Sequence, residues 1–260
     1  MVYADLHVHT TNSDGTMTLD EVPAAAERAG VSVVAVTDHD RTHPALDAPV
    51  VQHDGVTVVH GIELRVEAGD QRVDLLGYGV DDTDGDLAAL VDHLQTDREQ
   101  RGAAIIANVE DRLGVDLDLE SRPGLGRPHI ARAVADHTDT EYEYGEVFEH
   151  LIGDDGPCFV PRDVPSFAEG REVLTEACGL VSLAHPFRYP DPGAALELCA
   201  DLPAVERYYD YGHAVDTELV ERAVDEYDLL VTGGSDAHDE VLGITGVAEA
   251  EYERIAARIA

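Results

Sequence analysis

Apolar runs alternating with amphipathic stretches organise the first and last thirds of the chain. Val31 to Val36 is an almost unbroken β-branched run ending at Thr37, the pattern of a strand covered on both faces, as in a parallel sheet flanked by helices. Val2 to Val8, Val56 to Val59 and Val73 to Gly79 predict further strands, and Leu19 to Ala29, stopped by Gly30, predicts a helix. A long helical periodicity begins near Asp86 and continues to Leu113. From Gly114 to Val160 the pattern changes to Gly and Pro punctuation with two short helical patterns, Pro128 to Ala135 and Tyr144 to Leu151. This predicts a small helical insertion, at about 98–165, within a single domain covering residues 1–260. Alternation then resumes: helices at Ala168 to Ala177, Ala194 to Leu198, Thr217 to Glu226 and from Ala250, strands at Leu180 to Ala184, Val205 to Tyr208 and Leu229 to Thr232. Six or seven β/α units in about 210 residues favour an α/β barrel, closed or nearly so, over an open sheet.

Composition changes that picture little for the core and much for the surface. The 44% apolar content is ordinary for a folded domain, yet 54 Asp and Glu face 17 basic residues, for a formal net charge of -37. Every basic residue is Arg; the chain has no Lys. Such a surface stays hydrated in concentrated salt, where charge repulsion is screened over a few ångströms, and it predicts a halophile's cytoplasmic protein. It also opposes broad attraction to a nucleic-acid backbone, which argues against double-stranded DNA as a partner. No basic segment with an apolar run behind it opens the chain and no stretch of about 18 apolar residues occurs, so neither export nor a membrane partner is expected. Cys158, Cys178 and Cys199 are widely spaced in apolar or helical contexts and read as buried thiols.

The 13 His carry the chemical signal through their positions. Asp5-Leu6-His7-Val8-His9 puts two imidazoles two residues apart, on one side of an extended segment, where they can chelate one metal ion. Asp14 follows in a polar turn. Thr37-Asp38-His39-Asp40 closes the second strand, Gly61-Ile62-Glu63 follows Val59, Ala184-His185-Pro186 follows Leu183, and Gly234-Ser235-Asp236-Ala237-His238 follows the last strand. In a parallel barrel these strand ends open onto one face, and imidazoles and carboxylates gathered there call for divalent cations. His43, His53, His60, His93, His137 and His150 lack this context and read as ordinary surface or core residues.

These motifs, together with Leu76-Gly77-Tyr78, occur in an order that resembles the polymerase-and-histidinol-phosphatase (PHP) superfamily of metal-dependent phosphoesterases. Gly126-Arg127-Pro128-His129 and His185-Pro186-Phe187-Arg188-Tyr189 look like the branch of nucleoside 3′,5′-bisphosphate phosphatases and a related 5′-to-3′ exoribonuclease. The resemblance implies a distorted (β/α)7 TIM-like barrel with a metal cluster at its strand ends. It implies that His7, His9, Glu63 and Asp236 hold a first ion, that Glu63 bridges to a second with His185, and that Asp14, His39 and His238 hold a third. Where this branch has His two residues before Leu-Gly-Tyr, the chain has Asp74. A carboxylate there still suits a hard cation, so the cofactor reading is two to three divalent ions, Mn2+ first, with Mg2+, Zn2+ and Fe2+ as alternatives. Asp38 reads as a supporting carboxylate behind the ligands.

Such a cluster can generate a bridging hydroxide, held by Glu63, and clamp phosphoryl oxygens during in-line attack. In a chain without Lys, Arg127 and Arg188 are the candidates for binding phosphate through the guanidinium fork, although Arg127 could instead cap the insertion helix through an ion pair. His129 and His213 are candidates for substrate contact or for protonating the leaving oxygen, with a surface-loop role the alternative for His213. Tyr208, Tyr209 and Tyr211 either stack a nucleobase or pack a barrel loop. The leading function is hydrolysis of a small-molecule phosphate ester, a nucleoside 3′,5′-bisphosphate, or the 5′ end of short RNA. The alternatives are a histidinol-phosphate phosphatase and a non-catalytic metal-binding module, and no obligate protein partner is indicated.

Overall fold

Eight strands form the sheet of the computed structural model, which describes residues 2–81 and 83–259. They are β1 (Ala4–Val8), β2 (Val33–Val36), β3 (Val50–His53), β4 (Val56–Ala68), β5 (Gln71–Val80), β6 (Cys178–Leu183), β7 (Ala204–Tyr208) and β8 (Leu230–Gly233). Their order is β1-β2-β4-β5-β6-β7-β8, with β3 attached to β4. β1, β2 and β4 pair in parallel, as do β6, β7 and β8, while β5 runs antiparallel to both β4 and β6. A parallel bridge between Val8 and Ala237, with His9 N–H donating to the Ala237 carbonyl at 2.9 Å, draws the segment after β8 to the end of β1. The result is a nearly closed, distorted TIM-like barrel.

The chain divides into two compact units, residues 1–91 with 164–260, and residues 92–163. In the first, Leu6, Ala35, Val59, Leu76 and Tyr78 fill the barrel with Ile255 and Ile259 of helix α8 (Glu249–Ile259). Helix α1 (Val22–Ala29) starts with Pro23 in its first turn and ends at Gly30, whose left-handed φ of 70° lets its N–H reach back to the Ala26 and Glu27 carbonyls. Helices α5 (Phe167–Ala177), α6 (Pro192–Glu197) and α7 (Thr217–Tyr227) complete the unit. The second unit holds most of α2 (Gly85–Leu113), then α3 (Arg127–Asp136) and α4 (Tyr144–Val147), which runs into a π-helical turn at Phe148–Ile152. Ile105, Val109, Ile130, Val134, Leu151 and Cys158 make its own core, and it contains no strand among the described residues.

Three strand readings need correction. β4 is 13 residues long, where the apolar run predicts an end at Val59, because buried polar residues interrupt the run without interrupting the strand: His60 and Glu63 lie inside. Glu63 therefore projects from within a strand and does not follow one. β5, read as one more parallel strand, is the return arm of a long hairpin in register from Gly61↔Tyr78 to Ala68↔Gln71. β3 pairs with β4 across Asp54-Gly55, both with positive φ (45° and 88°), the two-residue turn chemistry that announces a hairpin. No disulfide joins the cysteines, of which Cys158 and Cys199 are buried and Cys178 partly exposed, and burial pushes the Cys199 thiol up to about 12.

Gly61 sits where β4 is squeezed between its neighbours. A Cβ there would lie 2.8 Å from the Gly77 carbonyl oxygen and 2.8 Å from Thr37 Cγ2. The Gly61→Ala substitution is expected to destabilise the fold by about 2 kcal/mol, from overpacking against backbone that cannot yield, as measured by chemical denaturation against the wild type.

Candidate metal centre

Four strand ends, those of β1, β2, β6 and β8, and the interior of β4 converge in the first unit. His7 and His9 leave β1 on the same side, their rings 5.1 Å apart and fully buried. His39 follows β2, and the backbone from Asp38 to Asp40 extends the β2/β4 ladder: Glu63 N–H donates to the Asp38 carbonyl and Asp40 N–H to the Glu63 carbonyl. That extension is what brings a mid-strand Glu63 level with residues at strand tips. Asp14 is presented by the turn after His9, and that turn is organised by Asp38. The buried Asp38 carboxylate accepts from Thr10 N and Oγ1 (both 2.8 Å), Asn12 Nδ2 (3.1 Å) and Ser13 Oγ (2.7 Å). Asp38 thus shapes the turn and does not face the imidazoles.

The loop after β8 is anchored in the same way. Asp5, wholly buried, accepts from Ser235 N (2.9 Å), Ser235 Oγ (2.5 Å) and Gly243 N (2.8 Å), which sets Asp236 and His238 over the end of β1. Asp236 and His185 both hold positive φ, 51° and 22°, a backbone cost that side chains at functional sites commonly carry.

The donor atoms form three overlapping groups: His9, Asp14, His39 and His238; His7, Glu63 and His185; and His7, His9 and Asp236, with the atoms of each group within 4.8 Å of one another. Glu63 is the hub. Its Oε1 lies 2.9 Å from His185 Nε2 and 3.4 Å from His7 Nε2, and its Oε2 lies 2.6 Å from His39 Nδ1 and 3.5 Å from His9 Nε2. Asp236 Oδ1 stands 3.1 Å from His9 Nε2, and Asp14 Oδ1 3.3 Å from His238 Nε2.

Burial works to raise the Glu63 carboxyl, but the His39 and His7 imidazoles overcome it and hold the group well below the usual carboxylate range. Asp236 is likewise held low, burial being outweighed by His7 and His9. His9, buried between His39 and His238, is pushed down and so favours the neutral form that ligates. His7 Nε2 and both ring nitrogens of His9 are buried without a hydrogen bond. Buried nitrogens without donors or acceptors, interleaved with ionised carboxylates, fit divalent cations better than any arrangement of protons.

Two residues outside the sequence motifs complete the site. Glu206, fully buried on β7, takes a hydrogen bond from His7 Nδ1 (3.0 and 3.2 Å to its two oxygens) and another from His185 N–H (2.8 Å). A carboxylate behind one ring nitrogen fixes the tautomer and turns the other nitrogen toward the metal position. Motif spacing does not reveal it; the available signal is an acid inside the apolar strand Ala204-Val205-Glu206. Arg65 is the second. Its Nε and Nη2 clamp the two oxygens of buried Asp74 at 2.7 and 2.6 Å, leaving Asp74 Oδ2 3.7 Å from His185 Nε2. Asp74 thus reaches the edge of the cluster already paired.

Of the substrate candidates, the structure brings Arg188 to the cluster: its Nη1 donates to Asp236 Oδ2 (2.8 Å) and to Tyr209 Oη (3.0 Å), and Tyr209 donates to the same carboxylate oxygen at 2.8 Å. His213 is exposed beside its own loop carbonyl at Ala214, at the outer end of a row of rings running His185, Tyr209, Tyr211, His213. Tyr208 does not join that row. It points to the opposite face of its strand, against Arg207 and Glu251, as alternation requires. Arg127 and His129 belong to the second unit. There Arg127 pairs with Asp154 (2.8 Å) and the Ile152 carbonyl, and His129 Nδ1 accepts from Gly126 N–H, capping α3.

A barrel whose strand ends gather imidazoles and carboxylates in overlapping metal-sized groups has the donor set of a metal-dependent hydrolase. Residues 5–259 match the PHP domain family model, and the chain belongs to that family. Among curated relatives, a phosphoribosyl 1,2-cyclic phosphate 1,2-diphosphodiesterase from Eggerthella lenta is 33% identical over 250 residues, covering 90% of this chain and 93% of that protein. A 5′-3′ exoribonuclease from Haemophilus influenzae is 26% identical, covering 90% and 89%. A 3′,5′-nucleoside bisphosphate phosphatase from Chromobacterium violaceum is 28% identical, covering 92% and 88%. Among solved structures, a Bifidobacterium adolescentis protein described as a metal-dependent phosphoesterase superposes with a TM-score of 0.81 at 23% identity, over 99% of this chain and 96% of that one. No helix is long and apolar enough to cross a membrane among the described residues.

If Glu206 orients His7, its amide replacement weakens metal binding without emptying the ligand shell. Glu206→Gln is expected to lower metal affinity about 10- to 100-fold, read by titrating metal into chelator-stripped protein and following the heat released.

Proposed function

We propose that the chain removes a phosphate from a nucleoside 3′,5′-bisphosphate, with the 5′ end of short RNA as the second substrate of the same site. The observation that carries this reading is the convergence of His7, His9, Asp14, His39, Glu63, His185, Asp236 and His238 into metal-sized groups beside a guanidinium, Arg188. His7, His9, Glu63 and Asp236 would hold one divalent ion, and Asp14, His39 and His238, with His9 at the boundary, another; Mn2+ suits this mixed imidazole and carboxylate set. When bound, such ions supply a hydroxide at neutral pH and neutralise charge on the phosphoryl oxygens.

The chain's own residues do the rest. Glu63, ionised and shared among four imidazoles, keeps the two positions at a fixed spacing. Arg188, with its side chain 53% exposed, is held at one end by Asp236 and Tyr209 and can turn a donor toward a phosphate oxygen. The Tyr209 and Tyr211 rings, 4.7 Å apart, and Phe187 edge-on to Tyr211 at 5.4 Å supply the apolar wall that a nucleoside needs and a bare sugar phosphate does not. His213 lies along that wall and is the candidate for contact with the leaving nucleoside. The Chromobacterium and Haemophilus relatives act on substrates that carry a base, which supports the same reading. The acidic, Lys-free surface fits a cytoplasm of high salt.

With Mn2+ in high salt, hydrolysis of adenosine 3′,5′-bisphosphate is expected to exceed that of histidinol phosphate by at least about 10-fold in kcat/KM, and Arg188→Gln to raise KM about 10-fold while leaving metal content unchanged. Equal turnover of the two esters would exclude the nucleotide reading. No turnover of either ester or of short RNA would favour a non-catalytic metal-binding module.

The Arg65–Asp74 pair sets the number of ions. While Arg65 occupies both Asp74 oxygens, the position next to His185 is left with Glu63 as its carboxylate and already has a fixed cation beside it. Elemental analysis is expected to give two ions per chain for the wild type and for Asp74→His, and three for Arg65→Met combined with Asp74→His. A third ion in Asp74→His alone would show that Arg65 does not block the position.

A further inference from the structure

Of the residues that meet around His185, one reaches open space. The side chains of Glu63 and Asp74 are each 1% exposed and that of His185 3%, whereas that of Arg65 is 35% exposed. Glu63 and Arg65 stand two residues apart on β4, so their side chains leave the same face of the strand, and Arg65 lies directly across from Asp74 on β5. The pair is held from several sides. Arg65 N–H donates to the buried Asp40 carboxylate at 3.0 Å. Asp74 N–H donates to Tyr189 Oη at 2.8 Å, and that hydroxyl donates to the Ala184 carbonyl at 3.0 Å, next to His185. The guanidinium commits Nε and Nη2 to the two Asp74 oxygens, and its Nη1 makes no hydrogen bond among the described residues.

Asp74 answers the charge of Arg65, so the pair adds no net charge; what it changes is the kind of group presented. Alone, the Asp74 carboxylate, 3.7 Å from His185 Nε2, would repel a phosphoryl oxygen arriving on this side of the centre. Clamped, it fixes a guanidinium in one orientation and leaves the outer nitrogen with two N–H donors. Donors preorganised in this way stabilise charge on an oxyanion without reorganising, which is what an ion beside His185 would otherwise supply. We infer that Arg65 is a catalytic residue that contacts substrate, its Nη1 donating to a non-bridging oxygen of the phosphoryl group in place of an ion beside His185. This deepens the function proposed above and rests on its phosphate ester, though not on its nucleoside. Asp74, in the place where the related branch has His, then positions the fork and does not ligate.

The test titrates inorganic phosphate into the Mn2+-loaded full-length protein at constant salt, with elemental analysis of the same samples. Two variants separate a phosphate contact from mere neutralisation of Asp74. Arg65→Met combined with Asp74→Asn removes both charges together, so that no buried carboxylate is left unpaired and the net charge is unchanged. Arg65→Lys keeps an ion pair with Asp74 but has no outer nitrogen. Each is expected to retain the two ions expected of the wild type while the phosphate dissociation constant rises at least about 10-fold. The kcat/KM for p-nitrophenyl phosphate, an ester without a nucleoside, is expected to fall by at least the same factor. Circular dichroism monitors folding, and Arg65→Lys decides alone if the double variant does not fold. Phosphate binding as tight as wild type in either folded variant would overturn the inference, as would the absence of saturable phosphate binding in the wild type. Loss of an ion together with the phosphate would also overturn it, by assigning Arg65 to the support of the ligands. The nucleotide reading fails separately: weakened phosphate binding in both variants, with equal turnover of adenosine 3′,5′-bisphosphate and histidinol phosphate, keeps Arg65 in contact with phosphate and removes the nucleoside.

Discussion

The organisation of the barrel mouth depends on one buried carboxylate. Glu63 is 1% exposed, yet its two oxygens lie within 3.5 Å of four different imidazoles. A carboxylate so deeply buried is tolerable only when positive charge surrounds it, and imidazoles supply that charge only in part and only when protonated. Cations remove the conflict, because they let Glu63 stay ionised while the imidazoles stay neutral. The fold serves that requirement in detail. β4 extends past the end of β2, the Asp38–Asp40 segment pairs with the extension, and β5 returns antiparallel to seal its other edge.

This explains what could be read from the amino-acid order and what could not. Imidazoles at strand tips are legible because strand ends are marked by apolar runs stopping, as at Val36 before His39 or Leu183 before His185. Glu63 is legible as a participant, but its location is not: the run Val56–Val59 stops at His60 for reasons of chemistry while the backbone hydrogen bonding continues. The reversal of β5 is hidden because a strand buried on both faces carries the same apolar signature in either direction. Glu206 and Arg65 are hidden for another reason. Glu206 acts through His7, 199 residues away, and Arg65 meets Asp74, nine residues on, only because β5 returns antiparallel and pairs the two positions, so no motif spacing contains either pair.

The carboxylates of the site fall into distinct roles that net charge alone cannot separate. Glu63, Asp236 and Asp14 face imidazole nitrogens. Asp38 and Asp5 face backbone and hydroxyl donors, and hold the two loops on which Asp14, Asp236 and His238 ride. Glu206 faces the far nitrogen of His7. Removing one of the supporting carboxylates therefore displaces ligands without changing their number, which is why their loss registers as weakened metal affinity and not as a missing coordination position.

Arginine has the complementary distribution. With no Lys in the chain, every fixed side-chain cation is a planar fork, and where forks meet carboxylates in pairs, as in Arg65 with Asp74, the charge is neutralised locally and the carboxylate at the edge of the cluster is already occupied. Where they meet one another, burial and like charge act together, as on Arg101, which burial, Arg127, Arg162 and Arg98 pull down to about 9. The first arrangement supplies a fixed positive charge at the edge of the candidate metal centre; the second is a cost borne inside the helical unit. The same residue type thus has different consequences, and the carboxylates that surround it decide which.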